Sequence, residues 1–116
     1  MEIIWTQMAR VTYFEILENL GNYWTSKEFH NFQQLTDENL SQITSGKTIH
    51  PIVFAKIRRV IIHPNVALFY KIDAVENRLF LITFFNNRMN PNLIKKLLKL
   101  YVHIFKNISL KCSTDY

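Results

Sequence analysis

The spacing of apolar residues changes along the chain and divides it into helical and extended stretches. A first helix is predicted by apolar residues that recur every three or four positions: Tyr13, Ile16, Leu17, Leu20 and Trp24. Thr25 followed by Glu28 then has the form of a capping box, which predicts the start of a second helix. Because only a short turn separates the two helices, we expect them to pack as a helical hairpin.

Extended stretches flank the hairpin and are rich in alternating or β-branched residues. Four strands are predicted, over residues 2–6, 54–63, 66–73 and 78–85. The last three follow one another, with turns at Pro64-Asn65 and Glu76-Asn77 between them. They should therefore form an antiparallel meander.

A final amphipathic helix is predicted from the cap Asn90 and the first-turn Pro91 to about residue 108. The order β-α-α-β-β-β-α indicates an α+β fold, in which a small twisted antiparallel sheet carries the helical hairpin on one face. We interpret residues 1–116 as a single domain, with the C-terminal helix over about 91–108 as an extension. Six side chains are expected in the core: Trp5, Ile16, Leu20, Phe32, Ile61 and Phe84. Three lysines of the final helix are expected in solvent: Lys95, Lys96 and Lys99.

The charge balance favours acidic partners. The chain has 14 Lys and Arg residues against 9 Asp and Glu, a formal net charge of +5, which would attract nucleic acid or an acidic protein. The single cysteine, Cys112, excludes an internal disulfide and a Cys-rich zinc site. No apolar run reaches the ~18 residues of a membrane span, and the first residues lack the basic start of a signal peptide. We therefore expect a cytoplasmic protein with no membrane contact.

The motifs of common cofactor and metal sites are not found in a functional arrangement. Four histidines lack the spacing of a metal site: His30, His50, His63 and His103. Residues 46–48 resemble the end of a phosphate-binding loop, but Ser41 stands where that loop needs its first glycine, and a helix rather than a strand precedes it. We therefore expect neither a cofactor nor a bound metal.

Cations concentrate on the predicted meander. Lys56, Arg58 and Arg59 lie on its first strand, and Tyr70 lies on its second. Antiparallel pairing could bring these side chains together to hold a phosphate backbone and stack a base. The same cations could instead clamp an acidic protein segment, or only protect the sheet edge by their charge. Residue types alone leave these three interpretations open.

Several short segments occur in the order of a known family. They are Trp5 in the first strand, Ala9, Ile16, Leu20 and Trp24 in the first helix, and residues 57–62, 68–73 and 84–91. The family pattern has a strand that begins with arginine, a strand that ends in Tyr-x-Ile, and a closing Phe-His-x-Arg-x-Asp-Pro. From about Ile3 to Ile94 the chain thereby resembles the RelE/ParE toxin superfamily, whose members are also described as plasmid stabilisation proteins. Asn86 stands in place of the family's histidine, and Asn90 in place of its aspartate.

The resemblance implies the fold derived above and a partner, an antitoxin whose C-terminal segment wraps the toxin. It also implies one of two targets, since RelE-like members cut mRNA in the ribosome whereas ParE-like members inhibit DNA gyrase. Arg58 and Arg88 match arginines of the family pattern. Lys56, Arg59 and Tyr70 complete the candidates for target or phosphate binding. The final helix would serve antitoxin docking, self-association or core closure.

RNA cleavage and gyrase inhibition differ in whether the toxin needs a side chain that transfers a proton. RNA cleavage needs a titrating group near the 2′-hydroxyl. Asn86 does not titrate near pH 7, and the phenol of Tyr70, with an ordinary pKa of ~10, is a poor base without help. We therefore interpret the chain as a ParE-like toxin of a type II toxin–antitoxin system that inhibits DNA gyrase by binding. The alternative is an enzyme, a RelE-like ribosome-dependent mRNA endonuclease, and a third hypothesis is a family member without toxicity.

Overall fold

The computed structural model describes the backbone of residues 1–21, 24–87 and 91–111, and the side chains of residues 1–18, 24–87 and 92–103. Its elements are, in chain order, β1 (Glu2–Trp5), α1 (Gln7–Gly21), α2 (Ser26–Thr44), β2 (Ile52–Phe54), β3 (Ile57–His63), β4 (Val66–Asp73), β5 (Arg78–Asn86) and α3 (Pro91–Lys111). This is the predicted α+β order with one further strand, β2, before the meander. None of the described helices is long and apolar enough to cross a lipid bilayer.

A five-stranded sheet forms the middle layer, with its strands in the order β1-β5-β4-β3-β2. β3, β4 and β5 pair antiparallel, which confirms the predicted meander. β1 pairs parallel to β5, with Trp5 opposite Leu81, so the sheet is mixed rather than wholly antiparallel. The parallel pair follows from the helical hairpin, because α1 and α2 carry the chain across one face of the sheet before it enters the meander.

The strand predicted over residues 54–63 is in fact two strands joined by a tight turn. Ala55 and Lys56 both have positive φ angles, 46° and 67°, as in the two-residue turns that join paired strands. β2 therefore folds back on β3, with Ile52 opposite Arg58. Neither turn residue is glycine or asparagine, the usual occupants of this conformation, so the sequence contains no turn signal here. Lys56, which was predicted on a strand, therefore lies in the turn between β2 and β3.

One face of the sheet is covered by the helical hairpin, as predicted. The capping box is formed, since the hydroxyl of Thr25 accepts from the Glu28 amide at 3.3 Å and the Glu28 carboxylate accepts from the Thr25 amide at 3.4 Å. Under the hairpin lies the larger core, termed the hairpin core: Ala9, Ile16, Phe32, Leu40, Ile43, Val60, Ile62, Val66, Leu68, Tyr70, Leu79, Leu81 and Phe84. Full burial of one large apolar side chain there contributes roughly 1.5–3 kcal/mol.

Two threonines attach α1 to the sheet. The hydroxyl of Thr6 donates to the Leu81 carbonyl at 2.7 Å and accepts from the Ala9 amide at 3.1 Å, so it caps the helix and bonds to β5 at once. β1 ends opposite Leu81. Beyond that point the Phe84 amide donates to the hydroxyl of Thr12 at 3.0 Å instead of to a strand. The hydroxyls of Thr6 and Thr12 thus satisfy backbone groups of β5 at and beyond the end of β1.

The opposite face of the sheet is covered in part by α3. The core between them, termed the α3 core, is smaller: Ile57, Ala67, Phe69, Ile82, Phe85 and Leu98. The three lysines expected in solvent are exposed, which confirms the orientation predicted for this helix: Lys95, Lys96 and Lys99. α3 therefore contributes to core closure, one of the three roles expected for it.

Three of the six predicted core residues are buried, and a fourth is partly buried: Ile16, Phe32, Phe84 and Trp5. The side chain of Leu20 lies outside the described residues. The prediction for Ile61 is wrong, because 50% of this residue is exposed. Alternation along β3 turns Val60 and Ile62 toward the hairpin. Ile61 consequently faces the side of α3, beyond the part of the sheet that this helix covers.

Candidate functional site

The five candidate residues from the sequence do not share one site. Arg58 and Arg59 are successive residues of β3, so they lie on opposite faces of the sheet. Arg58 faces the hairpin side, opposite Tyr70 of β4, whereas Arg59 faces α3. Lys56 is exposed in the turn before β3. Arg88 lies outside the described residues.

On the hairpin side, Arg58 and Tyr70 meet a histidine that the sequence did not single out. His50 lies between α2 and β2, and its Nδ1 is 2.6 Å from the hydroxyl oxygen of Tyr70. Arg58 donates to the backbone carbonyl of His50 at 2.5 Å. These three residues are termed the His50 cluster. Tyr70 is 0% exposed, so its ring is closed to a stacking base and only its hydroxyl takes part.

Burial and the neighbouring guanidinium set the protonation of the His50 cluster. Loss of solvent lowers the pKa of His50 below its usual value, and the positive charge of Arg58 lowers it further. Burial raises the pKa of Tyr70, although the charge of Arg58 and a hydrogen bond with the backbone of His50 act in the opposite direction. At pH 7 the pair is therefore a neutral imidazole beside a neutral phenol.

The two tautomers of His50 give the cluster two different capacities. When Nδ1 carries no proton, it accepts from the hydroxyl of Tyr70 and satisfies this buried group. When Nδ1 carries the proton, it donates to the phenol oxygen, and Nε2 keeps a free lone pair. The first arrangement is structural, whereas the second leaves a base that can accept a proton.

The position at which the family pattern has a histidine lies elsewhere on the sheet. Asn86 closes β5 opposite Val66, whereas Tyr70 pairs with Leu81. Four residues of extended strand separate the two pairs, a span of roughly 13 Å. His50 therefore does not stand in for a side chain at position 86. Its contact with Tyr70 depends on the loop after α2 and on the register of β3 with β4, and the spacing of histidines along the sequence encodes neither.

On the other side of the sheet, α3 and the meander enclose an apolar groove of about 290 Å³. Five apolar side chains form its floor: Val53, Phe54, Phe69, Ile94 and Leu98. Arg59, Lys95 and Lys99 also line it, and all three are exposed. These eight residues are termed the α3 groove. No carboxylate lines it, and none of its three cations has an ion-pair partner among the residues that the structure describes.

Two of the solved structures that share this fold are toxins. A metal-bound toxin from Helicobacter pylori matches with a TM-score of 0.57 at 17% sequence identity, over 75% of this chain and 94% of that one. A copper-bound mutant toxin from the same organism matches with a TM-score of 0.56 at 14% identity, over the same shares. No protein-family model matches the chain, and no curated protein matches it in sequence. In the described part of this chain, no group of three or more His, Cys, Asp or Glu side chains could hold a metal ion.

Proposed function

We propose that this chain is the toxin of a type II toxin–antitoxin system, that it acts in the cytoplasm, and that it blocks DNA gyrase by binding. The observation that carries the toxin role is the fold, which toxins from Helicobacter pylori match over 75% of the chain. The resemblance to ParE-like plasmid stabilisation proteins supports gyrase as the target. A cognate antitoxin would hold the toxin inactive.

The distribution of cations supports binding rather than catalysis. Arg59, Lys95 and Lys99 stand exposed around an apolar groove, and that groove contains no side chain that transfers protons near pH 7. Charged groups at a rim speed the encounter with an oppositely charged partner and select against like-charged ones. A toxin that blocks its target needs such a complementary surface and needs no proton acceptor.

One observation favours a second candidate, a ribosome-dependent mRNA endonuclease. In the tautomer with a proton on Nδ1, His50 donates to Tyr70 and keeps a free lone pair on Nε2. That nitrogen could take the proton of an RNA 2′-hydroxyl, whose oxygen then attacks the adjacent phosphorus while the 5′-oxygen leaves. Arg58 would offset the charge that develops on the phosphate. The lowered pKa of His50 keeps this base neutral at pH 7.

Inducible expression in bacteria, with DNA supercoiling and translation measured in parallel, tests the proposal. We expect growth arrest, with plasmid DNA losing negative supercoils before translation falls. Co-expression of a neighbouring reading frame should restore growth, because the antitoxin is expected to be encoded beside the toxin. Growth that continues at verified soluble expression would overturn the toxin role.

Three variants test whether toxicity depends on the arginines that match the family pattern. Arg58→Ala and Arg88→Ala should each abolish toxicity, since loss of a charged contact from a desolvated interface costs about 2–5 kcal/mol. Arg10→Ala, which removes an exposed arginine of α1, should leave toxicity unchanged. Each variant is compared only after its circular dichroism melt matches the wild type.

Primer extension on ribosome-bound message completes this test. The binding model predicts no toxin-dependent cuts in the message, and it predicts that His50→Ala keeps its toxicity. Discrete cuts that disappear in His50→Ala would instead establish the endonuclease and overturn the binding model.

A further inference from the structure

One of the two edges of the sheet, that of β2, lies beside the α3 groove. β2 ends the strand order, so one of its edges has no partner among the described strands. An unpaired edge offers backbone N–H and C=O groups with which an extended peptide can pair. β2 is also one wall of the groove, through Val53 and Phe54. A segment that adds to this edge therefore lies where its side chains can enter the groove.

The apolar surface of the groove is left partly in solvent. Val53, which lines the groove, is 42% exposed. Apolar surface that stays exposed in a groove is typical of binding sites on soluble proteins. A volume of about 290 Å³ lies at the small end of ligand pockets, so the groove suits a few side chains of a protein segment.

All charged side chains that line the α3 groove are positive. Arg59 belongs to β3, whereas Lys95 and Lys99 belong to α3, so the cations flank the groove on two sides. Because no carboxylate lines the groove, an incoming carboxylate meets no repulsion from its walls. A segment that carries lysines would be repelled by the same three cations.

A nucleic acid fits these features less well than a peptide does. Single strands bind through aromatic faces on which bases stack. In the α3 groove, Phe69 is buried and Phe54 is partly buried, so neither presents an open ring. The backbone groups at the edge of β2 suit another strand, and a phosphate backbone carries no N–H groups to pair with their carbonyls.

We propose that the α3 groove and the open edge of β2 bind an extended, acidic segment of a partner protein. Its apolar side chains occupy the groove, and its carboxylates lie against Arg59, Lys95 and Lys99. The inference deepens the proposed function, because it assigns this surface to the antitoxin, which would cover the surface proposed to meet the target. It rests on that function only for the identity of the partner.

The test uses the full chain and three labelled synthetic peptides of equal length, which alternate Glu with Val, Glu with Ser, and Lys with Val. Fluorescence anisotropy should show the Glu–Val peptide binding about tenfold more tightly than either of the others, since only it has both apolar anchors and carboxylates. Amide NMR shifts should concentrate on β2 and on the part of α3 that lines the groove. Equal affinities for the three peptides would overturn the proposal.

A matched pair of lysine variants locates the site. Lys99→Glu, in the groove, should weaken binding of the Glu–Val peptide about fivefold or more. Lys96→Glu makes the same charge change on the same helix outside the groove, and should alter binding less than about twofold. Both lysines are exposed, so both variants should keep the wild-type melt. Equal effects of the two variants, or none from Lys99→Glu, would overturn the proposal.

Two further outcomes separate this inference from the proposed function and from a nucleic-acid surface. A single-stranded DNA of equal length that binds more tightly than the Glu–Val peptide, and is weakened by Lys99→Glu alone, would overturn the peptide site. A chain that binds the peptide as predicted but does not arrest growth would support this inference while removing the toxin role. A chain that arrests growth, but whose peptide binding is unchanged by Lys99→Glu, would support the toxin role and overturn this inference.

Discussion

The two faces of the sheet differ in how completely they are covered. Among the described residues, the hairpin core contains thirteen buried residues and the α3 core contains six. The hairpin core is centred on aromatic rings, where Tyr13 lies 5.4 Å from Trp5, 5.5 Å from Phe32 and 5.1 Å from Phe84, measured between centroids. The α3 face has a smaller core, and its groove carries three exposed cations. One face is thus largely closed by its helices, and the other leaves apolar and cationic surface exposed.

The number of helices on each face explains why one face of the sheet is covered more completely than the other. Strands lie about 4.8 Å apart, so the axes of five strands span roughly 19 Å, whereas one helix with its side chains is about 10 Å across. Two helices cover such a sheet and one helix covers half of it. Ile61 and Val53 are exposed on the half that α3 leaves open. A sheet with two helices on one side and one on the other therefore retains an accessible strip.

The largest effect is expected in the hairpin core. Phe32→Ala should lower the free energy of unfolding by about 3–5 kcal/mol, because Phe32 is fully buried between the helices and the sheet. Phe14→Ala removes the same side chain from a position of α1 that is 63% exposed, and should cost less than about 0.5 kcal/mol. Urea unfolding of the two variants measures the contrast. Similar losses would mean that the hairpin face is not the main source of stability.

The α3 core should give the next largest effect. Leu98→Ala should cost about 2–3 kcal/mol, the lower part of the range for buried leucines, since the adjoining groove lets the site collapse. Leu100→Ala, on the same helix at 53% exposure, is the matched control and should change stability by less than about 0.5 kcal/mol. Thermal melts compare the pair. A loss at Leu98 as large as that at Phe32 would remove the distinction between the two faces.

The sequence predicts this architecture well wherever periodicity determines it. The helical spacing of Ile16 and Phe32, and the capping box at Thr25, correspond to buried positions and to a formed cap in the structure. The prediction is wrong where the backbone makes a turn without the residue types that usually mark one. The turn at Ala55 and Lys56 uses positive φ angles without glycine or asparagine, so one strand was expected where two exist.

The candidate sites were less predictable than the fold, because they depend on which face each side chain occupies. Alternation along a strand separates Arg58 from Arg59, but a strand with apolar residues on both faces does not indicate which of the two arginines faces the helical hairpin. His50 joins Tyr70 only through a loop whose path no local pattern encodes. The α3 groove likewise requires the packing of α3 against the sheet, which brings Lys95 and Lys99 to the side of Arg59.

A smaller effect is expected from the attachment of α1 to β5. Thr12→Val removes the oxygen that accepts from the Phe84 amide at 3.0 Å and leaves that amide without its partner. The expected loss is about 1–3 kcal/mol, the cost of an unsatisfied buried donor. Thr12→Ser keeps the hydroxyl and should recover most of this loss. If the valine and serine variants are equally unstable, the methyl group rather than the hydrogen bond attaches the helix.

The smallest effect is a dependence of stability on pH through His50. Its pKa in the folded chain lies below the unfolded value of ~6.5, because burial and the charge of Arg58 disfavour the imidazolium. Between these two pKa values the unfolded chain binds more protons than the folded one, so stability falls as the pH drops below ~6.5. Gln at position 50 does not titrate. The stability of the wild type relative to His50→Gln, measured by urea unfolding, should therefore decrease from about pH 8 to about pH 5. A difference that stays constant over this range would mean that the folded chain protonates His50 as readily as the unfolded one, so that burial and the charge of Arg58 do not lower its pKa.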